Sequence, residues 1–348
     1  MATAGMHHLR RRDVVHYADI EPRSNAFVGW ERVRHRQAHW FVECAAEFMG
    51  VFFYVYAGVG STANFLLGGA AGIAGLSSMF QIGAAYAFGI LFALIVCAPT
   101  SGGHFNPVIT VCLTLLGKFP AKKAPRYIAA QILGSYVACL LIYVQWYDYI
   151  KEVTEVLEAS GKLEAVMFTP NGPAGVFALY APTGVSLGRI FLNEFVCDFL
   201  IGLVIFASVD PTNFGATPAT GPWIIAFAYA TMVWGYATVG IATNAARDVG
   251  ARLMALTIWG LPAGGGSYAA IAALTNFPAT ICAMLFYTYV LSDSSRTVTP
   301  AWVDYFAAHL AHAEHSQESH GRVGPHNVAA ADNDSVRSKA SHQQVESV

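Results

Sequence analysis

Two asparagines, Asn106 and Asn244, each stand at the start of a short apolar segment, over about residues 106–117 and 244–259. An asparagine side chain offers an NH₂ donor, and the first turn of a helix carries roughly +0.5 of an elementary charge. A single asparagine at such a place is most simply the N-cap of its helix. Two of them at matching places favour a shared role toward a small polar molecule.

Charged residues interrupt the apolar sequence at a few places. Arg247 lies in the second short segment, and a charge at membrane depth suggests a function because burying it is costly. Its guanidinium can bind water or a hydroxyl group while it repels cations. The alternative is a structural ion pair, since Asp248 is adjacent. Glu47 and Glu194 need hydrogen-bond partners if they are buried, and a proton-coupling role for them is the rival interpretation.

Six apolar runs must position these side chains. Each is long enough to cross a bilayer of about 30 Å, which takes about 20 helical residues. They lie near residues 40–60, 79–98, 127–147, 190–209, 222–241 and 268–291. The two segments that begin at the asparagines are too short to cross. Non-helical backbone at membrane depth survives only where it is buried in protein or lines a water-filled cavity, so we expect re-entrant half-helices.

The composition supports a membrane protein. The chain of 348 residues is 55% hydrophobic and 12% charged, against roughly 25% charged residues in an average soluble domain. These values exclude an ordinary soluble enzyme and a disordered scaffold, and the net charge of −2 argues against a nucleic-acid partner. No metal-ligand cluster and no nucleophile–base spacing stands out, so we expect no enzymatic activity and no cofactor.

The chain repeats itself in the opposite orientation. Glu47 lies in the first crossing and Asn106 follows 59 residues later, while Glu194 lies in the fourth crossing and Asn244 follows 50 residues later. Three crossings per half give the halves opposite topology. Such inverted repeats place transport sites at the midplane of the membrane. Residues 1–39 contain seven arginines, and the positive-inside rule then predicts that both termini are cytoplasmic.

Two motifs resemble the signatures of the aquaporin (major intrinsic protein) family. Residues 101–108, Ser-Gly-Gly-His-Phe-Asn-Pro-Val, resemble the first signature, and residues 240–252, Gly-Ile-Ala-Thr-Asn-Ala-Ala-Arg-Asp-Val-Gly-Ala-Arg, resemble the second. The resemblance covers about residues 40–291. It implies an all-α membrane protein with six tilted transmembrane helices and two re-entrant half-helices around one pore, and four protomers that each carry a pore. The cytoplasmic tails would be 1–39 and 292–348, the second one disordered because of its polar composition.

The resemblance also assigns roles to residues. Asn106 and Asn244 would face the pore where the half-helices meet, and Arg247 would sit in the outer constriction. Glu47 and Glu194 would accept hydrogen bonds from loop backbone behind the pore. His104 would contribute its backbone to the pore wall, with packing or a protonation gate as the two readings of its ring.

The sequence departs from the family's Asn-Pro-Ala pattern twice. The first motif reads Asn106, Pro107, Val108, and the second reads Asn244, Ala245, Ala246. Proline suits the first position of a helix because it has no N–H to leave unpaired. With alanine in that place, we expect an intact pore with slightly altered geometry near the asparagines.

Other residues bear on the solute. Asp248 after Arg247, with Arg252 four residues later, resembles the glycerol-conducting branch of the family. Counting from the asparagines places Ile241, Met232 and Tyr86 beside Arg247 in the filter. An alternative alignment replaces Tyr86 with Phe88. One aromatic and two aliphatic groups beside an arginine would suit the hydrocarbon and hydroxyl faces of a polyol.

These features predict a passive channel for glycerol-like polyols and water that excludes ions and protons. It would act as a homotetramer in the lipid bilayer, most simply that of the plasma membrane. A water-selective channel and a channel for peroxide, urea or ammonia are the nearest alternatives. A coupled secondary transporter is a more distant one.

Overall fold

The protein is described by a computed structural model that covers residues 24–70, 72, 77–293 and 295–308. Its regular elements are helices and single helical turns, and these described ranges contain no strand. We number the helices α1 Asn25–Arg36, α2 His39–Ala70, α3 Met79–Ser101, α4 Pro107–Leu115, α5 Ala124–Gln145, α6 Tyr147–Ala159, α7 Leu163–Val166, α8 Leu187–Ser208, α9 Gly221–Tyr236, α10 Ala245–Trp259, α11 Gly266–Leu274, α12 Asn276–Phe286 and α13 over 300–308.

Residues Trp40–Thr299 form one compact unit. Helices α1 and α13 belong to a separate unit. The predicted N-terminal tail therefore contains a helix that the sequence did not suggest. The predicted disorder of the C-terminal tail beyond residue 308 lies outside the described residues.

Most of the predicted crossings are long helices. Within the described ranges, five stretches are long and apolar enough to cross a membrane, namely His39–Gly69, Met79–Ser101, Ala121–Gln145, Leu187–Ser208 and Gly266–Leu291. The remaining predicted crossing forms α9, which has 16 residues and so spans about 24 Å. A 3₁₀ turn over Ala237–Val239 follows it directly. Helix α9 packs on α3 and α8 as the sixth member of the bundle.

The last crossing is interrupted. Helix α11 ends at Leu274 and α12 begins at Asn276, with Thr275 between them. Pro278 lies in the first turn of α12 and has no N–H to donate to the carbonyl of Leu274, so the proline favours a break there.

The two short segments are half-helices, and each packs on a helix from the other half of the chain. Helix α4, from the first half, packs on α12, and α10, from the second half, packs on α5. Gly250 permits the second approach because a Cβ there would meet the backbone carbonyl of Ile132. Each half-helix thus lies against the third crossing of the other half, and both asparagines reach the middle of the bundle.

Candidate functional site: a pore between two half-helices

The two asparagine side chains join the halves of the molecule. Asn244 Nδ2 donates to the carbonyl oxygen of Phe105 at 2.9 Å, and Asn106 Nδ2 donates to that of Thr243 at 3.4 Å. Each side-chain oxygen also caps its own half-helix: Asn106 accepts from the N–H of Val108, and Asn244 accepts from those of Ala246 and Arg247. Each asparagine is therefore both an N-cap and a contact to the opposite half.

The residue before each asparagine has an uncommon backbone. Phe105 has φ of 49° and Thr243 has φ of 58°, and among the described residues they are the non-glycine positions with positive φ. Such conformations cost free energy and persist where the surroundings fix them. Here they turn the carbonyls of Phe105 and Thr243 toward the opposite asparagine.

Two buried glutamates fix this backbone. Glu47 accepts the N–H groups of His104 and Phe105 at 3.1 and 2.8 Å, and Glu194 accepts those of Ala242 and Thr243, both at 2.6 Å. Both glutamates are fully buried and lie behind the loops. Their contacts are those that the resemblance implied.

A cavity of about 570 Å³ runs along the surface formed by the asparagines. Asn106 and Asn244 line it, as do Ile109 and Arg247, which each follow an asparagine by three residues. The remaining motif residues, Pro107, Val108, Ala245 and Ala246, are buried and do not line it. Val108 packs with Cys112, Phe206 and Met284 instead.

The guanidinium of Arg247 is held in the cavity wall by two acceptors. Nε and Nη2 donate to the Tyr86 hydroxyl at 3.2 and 3.1 Å, and Nη1 donates to the carbonyl of Phe177 at 2.8 Å. These bonds use three of the five N–H donors of an arginine. Arg247 is 4% exposed and lines the cavity, and two of its N–H donors take no part in these bonds.

The other residues predicted for the filter differ in whether they line the cavity. Tyr86 and Ile241 line the cavity, whereas Phe88 is 45% exposed and does not line it. Gly58 makes room for Tyr86, because a Cβ at that position would overlap the tyrosine ring. Tyr86, not Phe88, is therefore the aromatic residue at Arg247.

Met232, predicted for the filter, is not among the residues that line the cavity. It packs with Ile201, Ile205 and Ile241. The residues of α9 that do line the cavity are Ile225, Tyr229 and Val233, which share one face of the helix at four-residue spacing. Counting back from Asn244 did not resolve the face of α9 on which Met232 lies.

A second arginine binds the loop over residues 167–186. Arg252 Nη2 donates to Asp248 Oδ1 at 2.5 Å and its Nε donates to Oδ2 at 3.2 Å. The same guanidinium donates to the carbonyls of Leu179 and Gly264. Asp248 is fully buried. The pair thus connects α10 to the loop over residues 167–186, which Arg247 also contacts through Phe177.

The ring of His104 is packed. It lies edge-on to Phe119, with ring centroids 4.6 Å apart, and close to Tyr127. Its Nδ1 is 3.1 Å from the Thr110 hydroxyl. His104 is 7% exposed and touches the cavity, which agrees with the packing interpretation of its side chain.

The sequence did not indicate the carbonyl of Phe177 or the hydroxyl of Tyr54. Tyr54 donates to the carbonyl of Phe105, and Phe177 lies in a loop that had no clear pattern. A backbone carbonyl leaves no signal in residue types. Arg247 and Arg252 in α10 were the available signal, because their buried N–H groups need acceptors that a loop can supply.

Comparisons with known proteins agree with the geometry. Residues 34–262 match the model of the family described as "Major intrinsic protein". The chain is 53% identical over 308 residues to "Aquaporin-3" of Laccaria bicolor, covering 88% of this chain and 93% of that protein. It is 33% identical over 237 residues to "Aquaglyceroporin-2" of Rhizophagus irregularis, covering 66% and 68%.

A solved structure has the same fold. The X-ray structure of the aquaglyceroporin from Plasmodium falciparum superposes with a TM-score of 0.62 at 23% identity, over 76% of this chain and 99% of that chain. The match of the family and of relatives over most of the chain fixes the class of protein. The chain belongs to the major intrinsic protein family and is an integral, multi-pass membrane channel for water or small solutes, not an enzyme.

Proposed function

We propose that the protein is a passive channel for glycerol-like polyols and water that excludes ions and protons. The observation that carries this proposal is the fixed guanidinium of Arg247. Two of its N–H donors remain for a solute, and the hydroxyl of Tyr86, which accepts from Arg247, keeps its own proton to donate. A molecule with several neighbouring hydroxyl groups can use these donors together.

The wall near Arg247 also offers hydrocarbon. Ile241, Leu179 and Tyr180 line the same cavity as Arg247. A polyol presents hydroxyls along one side and C–H groups along the other, so this combination of surfaces suits it. The name of the Rhizophagus irregularis relative supports the same solute class.

Exclusion of charge follows from three groups along the cavity. Arg247 is a cation at membrane depth, and the starts of α4 and α10 add the positive ends of two helix dipoles. Together they oppose passing cations, and the asparagine NH₂ groups orient water so that its oxygen faces them. An oriented water file does not conduct protons.

A water-selective pore is the second candidate. The observation that favours it is that Tyr86 and Phe177 already accept from three N–H donors of Arg247. Fewer donors are then left for a solute that is larger than water. The Laccaria bicolor relative is named simply as an aquaporin.

The remaining assignments follow from the sequence and the family. We place both termini in the cytoplasm, residues 40–291 in the channel and the functional unit in a homotetramer within the plasma membrane. Protease protection in sealed vesicles tests the cytoplasmic location of the termini, and native mass spectrometry tests the homotetramer.

The solute is tested by light scattering from proteoliposomes in matched sorbitol and glycerol gradients. We expect rapid shrinkage in both gradients, followed by rapid re-swelling in glycerol alone. Shrinkage without re-swelling would favour the water-selective pore and contradict the polyol channel.

The filter is tested in the same vesicles with Arg247→Ala and with Ile109→Ala, the residue that follows the first asparagine by three. We expect Arg247→Ala to admit protons, detected by a pH dye inside the vesicles. Ile109→Ala removes hydrocarbon from the same cavity and leaves the proton flux unchanged. Equal proton fluxes in both variants would contradict the role of Arg247.

A further inference from the structure

Asp198 is a buried carboxyl group that the pore does not use. It lies on α8 one helical turn after Glu194, is fully buried, and does not line the cavity. Neither of its oxygens has a hydrogen-bond partner among the described residues. A buried polar group without a partner is costly, and a buried unpaired charge is more so.

Two side chains face the Asp198 carboxyl group, the carboxyl group of Glu194 and the amide of Asn276 on α12. The Asn276 amide nitrogen donates to the Thr280 hydroxyl, and its buried Oδ1 also has no hydrogen-bond partner in the described part of the chain. A second unpartnered oxygen therefore points to a missing donor at this place.

Among the described residues, no lysine or arginine donates a hydrogen bond to Asp198 or Glu194. Tyr229 on α9, Tyr268 on α11 and Cys197 on α8 are its titratable neighbours. Asp248 on α10 is the acidic neighbour, and Arg252 already pairs with it. At the far end of α8, Tyr287 bonds to Asp210. Arg247 is close enough to act on Tyr268, but its guanidinium donates to Tyr86 and to the carbonyl of Phe177.

We propose that Asp198 and Glu194 share one proton, with Asp198 as the neutral acid and its O–H donated to the Glu194 carboxylate. Two carboxyl groups at one buried site do not both ionise, because their charges repel in a medium of low dielectric constant. The shared proton gives Asp198 a hydrogen bond to Glu194 and leaves Glu194 one negative charge with which to hold Ala242 and Thr243. It is thus a proton-binding site that supports the second pore loop.

The pair makes the second loop sensitive to high pH. Loss of the shared proton would place two charges on one turn of α8. The folded protein then binds a proton that the unfolded chain releases more readily, so stability falls as pH rises through the titration of the pair. Because Glu194 holds Ala242 and Thr243, beside Asn244, we expect water permeability to fall in the same pH range.

Infrared difference spectroscopy on the purified full-length protein in liposomes tests the proposal. The wild type should show, at neutral pH, a carboxylic-acid C=O band that shifts in D₂O. Asp198→Asn should lose this band and flatten the pH dependence of vesicle shrinkage, because its amide donates a hydrogen bond and cannot ionise. Glu43→Gln is the matched control, since Glu43 is a buried carboxylate that pairs with Lys123 and Arg126, and it should retain the band.

Two results would overturn the proposal. If the wild type and Asp198→Asn give the same carboxylic-acid band, Asp198 does not carry the proton. If the wild type has no such band and its thermal midpoint falls when choline replaces sodium and potassium, a metal cation occupies the site instead. Neither result depends on which solute passes the pore, so this test stands apart from that of the polyol channel.

Discussion

The two halves of the molecule hold their asparagine loops by the same backbone bonds but support them with different side chains. In the first half, Glu47 also accepts from the Ser101 hydroxyl at 2.6 Å and from the Gln131 amide at 2.7 Å. In the second half, Glu194 has Asp198 beside it, another acid in place of a neutral donor. Duplication preserved the contacts that set the loop backbone, while the layer behind them diverged.

The half-helices differ in charge in the same way. Helix α10 carries Arg247, Asp248 and Arg252 at three, four and eight residues after its asparagine, where α4 carries Ile109, Thr110 and Thr114. Among the two half-helices, charge is thus confined to α10, which contacts the long segment over residues 167–186. By their half-helices alone, we call the second half the charged half and the first the uncharged half. We infer from this comparison that both halves set the geometry of the pore centre, and we propose that the second half also sets its selectivity.

The largest effect should come from Arg252, because it neutralises a fully buried carboxylate. Removing one partner of a buried ion pair costs about 3–5 kcal/mol, so we expect Arg252→Met to lower the free energy of unfolding by that amount. Thr114→Val changes the matching position of α4, whose hydroxyl bonds only within its own helix, and should cost far less. Thermal midpoints of the purified variants measure both.

A double variant checks the cause. Asp248→Asn combined with Arg252→Met removes the charge that was left unpaired and should recover part of the lost stability. If Asp248→Asn lowers the thermal midpoint as much in Arg252→Met as it does in the wild type, the two residues do not act as a pair.

The next effect separates the two glutamates. Glu47 accepts four hydrogen bonds, and glutamine in its place would leave buried donors facing an NH₂ group, at about 1–3 kcal/mol for each unsatisfied group. Each oxygen of Glu194 accepts one loop N–H, so Glu194→Gln leaves a single donor facing its NH₂ group, against two for Glu47→Gln, and we expect the smaller cost of about 1–3 kcal/mol. Equal losses of thermal midpoint would mean that the two support layers are equivalent, contrary to the comparison.

The sequence predicted the fold and the centre of the pore because these depend on residue types at fixed spacing. Apolar runs of membrane length, an asparagine at each half-helix start and a glutamate in each half all leave such a signal. Each of these elements is present in the structure, apart from the shorter α9 and the break at Thr275.

The rest of the site depends on features that a sequence does not display. The carbonyl of Phe177 comes from backbone in an irregular loop, and any residue type could supply it. A fixed count selected Met232 but does not tell which face of α9 turns toward the cavity, where Ile225, Tyr229 and Val233 lie. The choice between Tyr86 and Phe88 required the space above Gly58, which is a property of the packed helices.

A smaller effect should come from the Tyr86 hydroxyl. Helix α3 of the first half supplies this hydroxyl, but it accepts hydrogen bonds from Arg247 of the second half. Tyr86→Phe frees Nε and Nη2 of Arg247, so the guanidinium loses its fixed position toward a polyol. We expect glycerol permeability to fall roughly five- to tenfold, the equivalent of about 1–1.4 kcal/mol, with a smaller change in water permeability. The ratio of the two rates in proteoliposomes measures this.

Tyr54→Phe is the matched control, because Tyr54 donates to Phe105 in the uncharged half. It should change both permeabilities in proportion. A fall in the glycerol-to-water ratio as large as that of Tyr86→Phe would show that selectivity is not confined to the charged half.

The smallest effect concerns the first position of each half-helix, where α4 has Pro107 and α10 has Ala245. The N–H of this position has no partner within its own helix, and proline's fixed φ suits it. Ala245→Pro should therefore stabilise the fold by about 0.4–1 kcal/mol, by restricting the unfolded chain, and Pro107→Ala should cost a similar amount. Thermal midpoints measure both changes. A loss of stability in Ala245→Pro would mean that the start of α10 has diverged from that of α4 in backbone as well as in side chains, so the equivalence of the two halves would end at the asparagines.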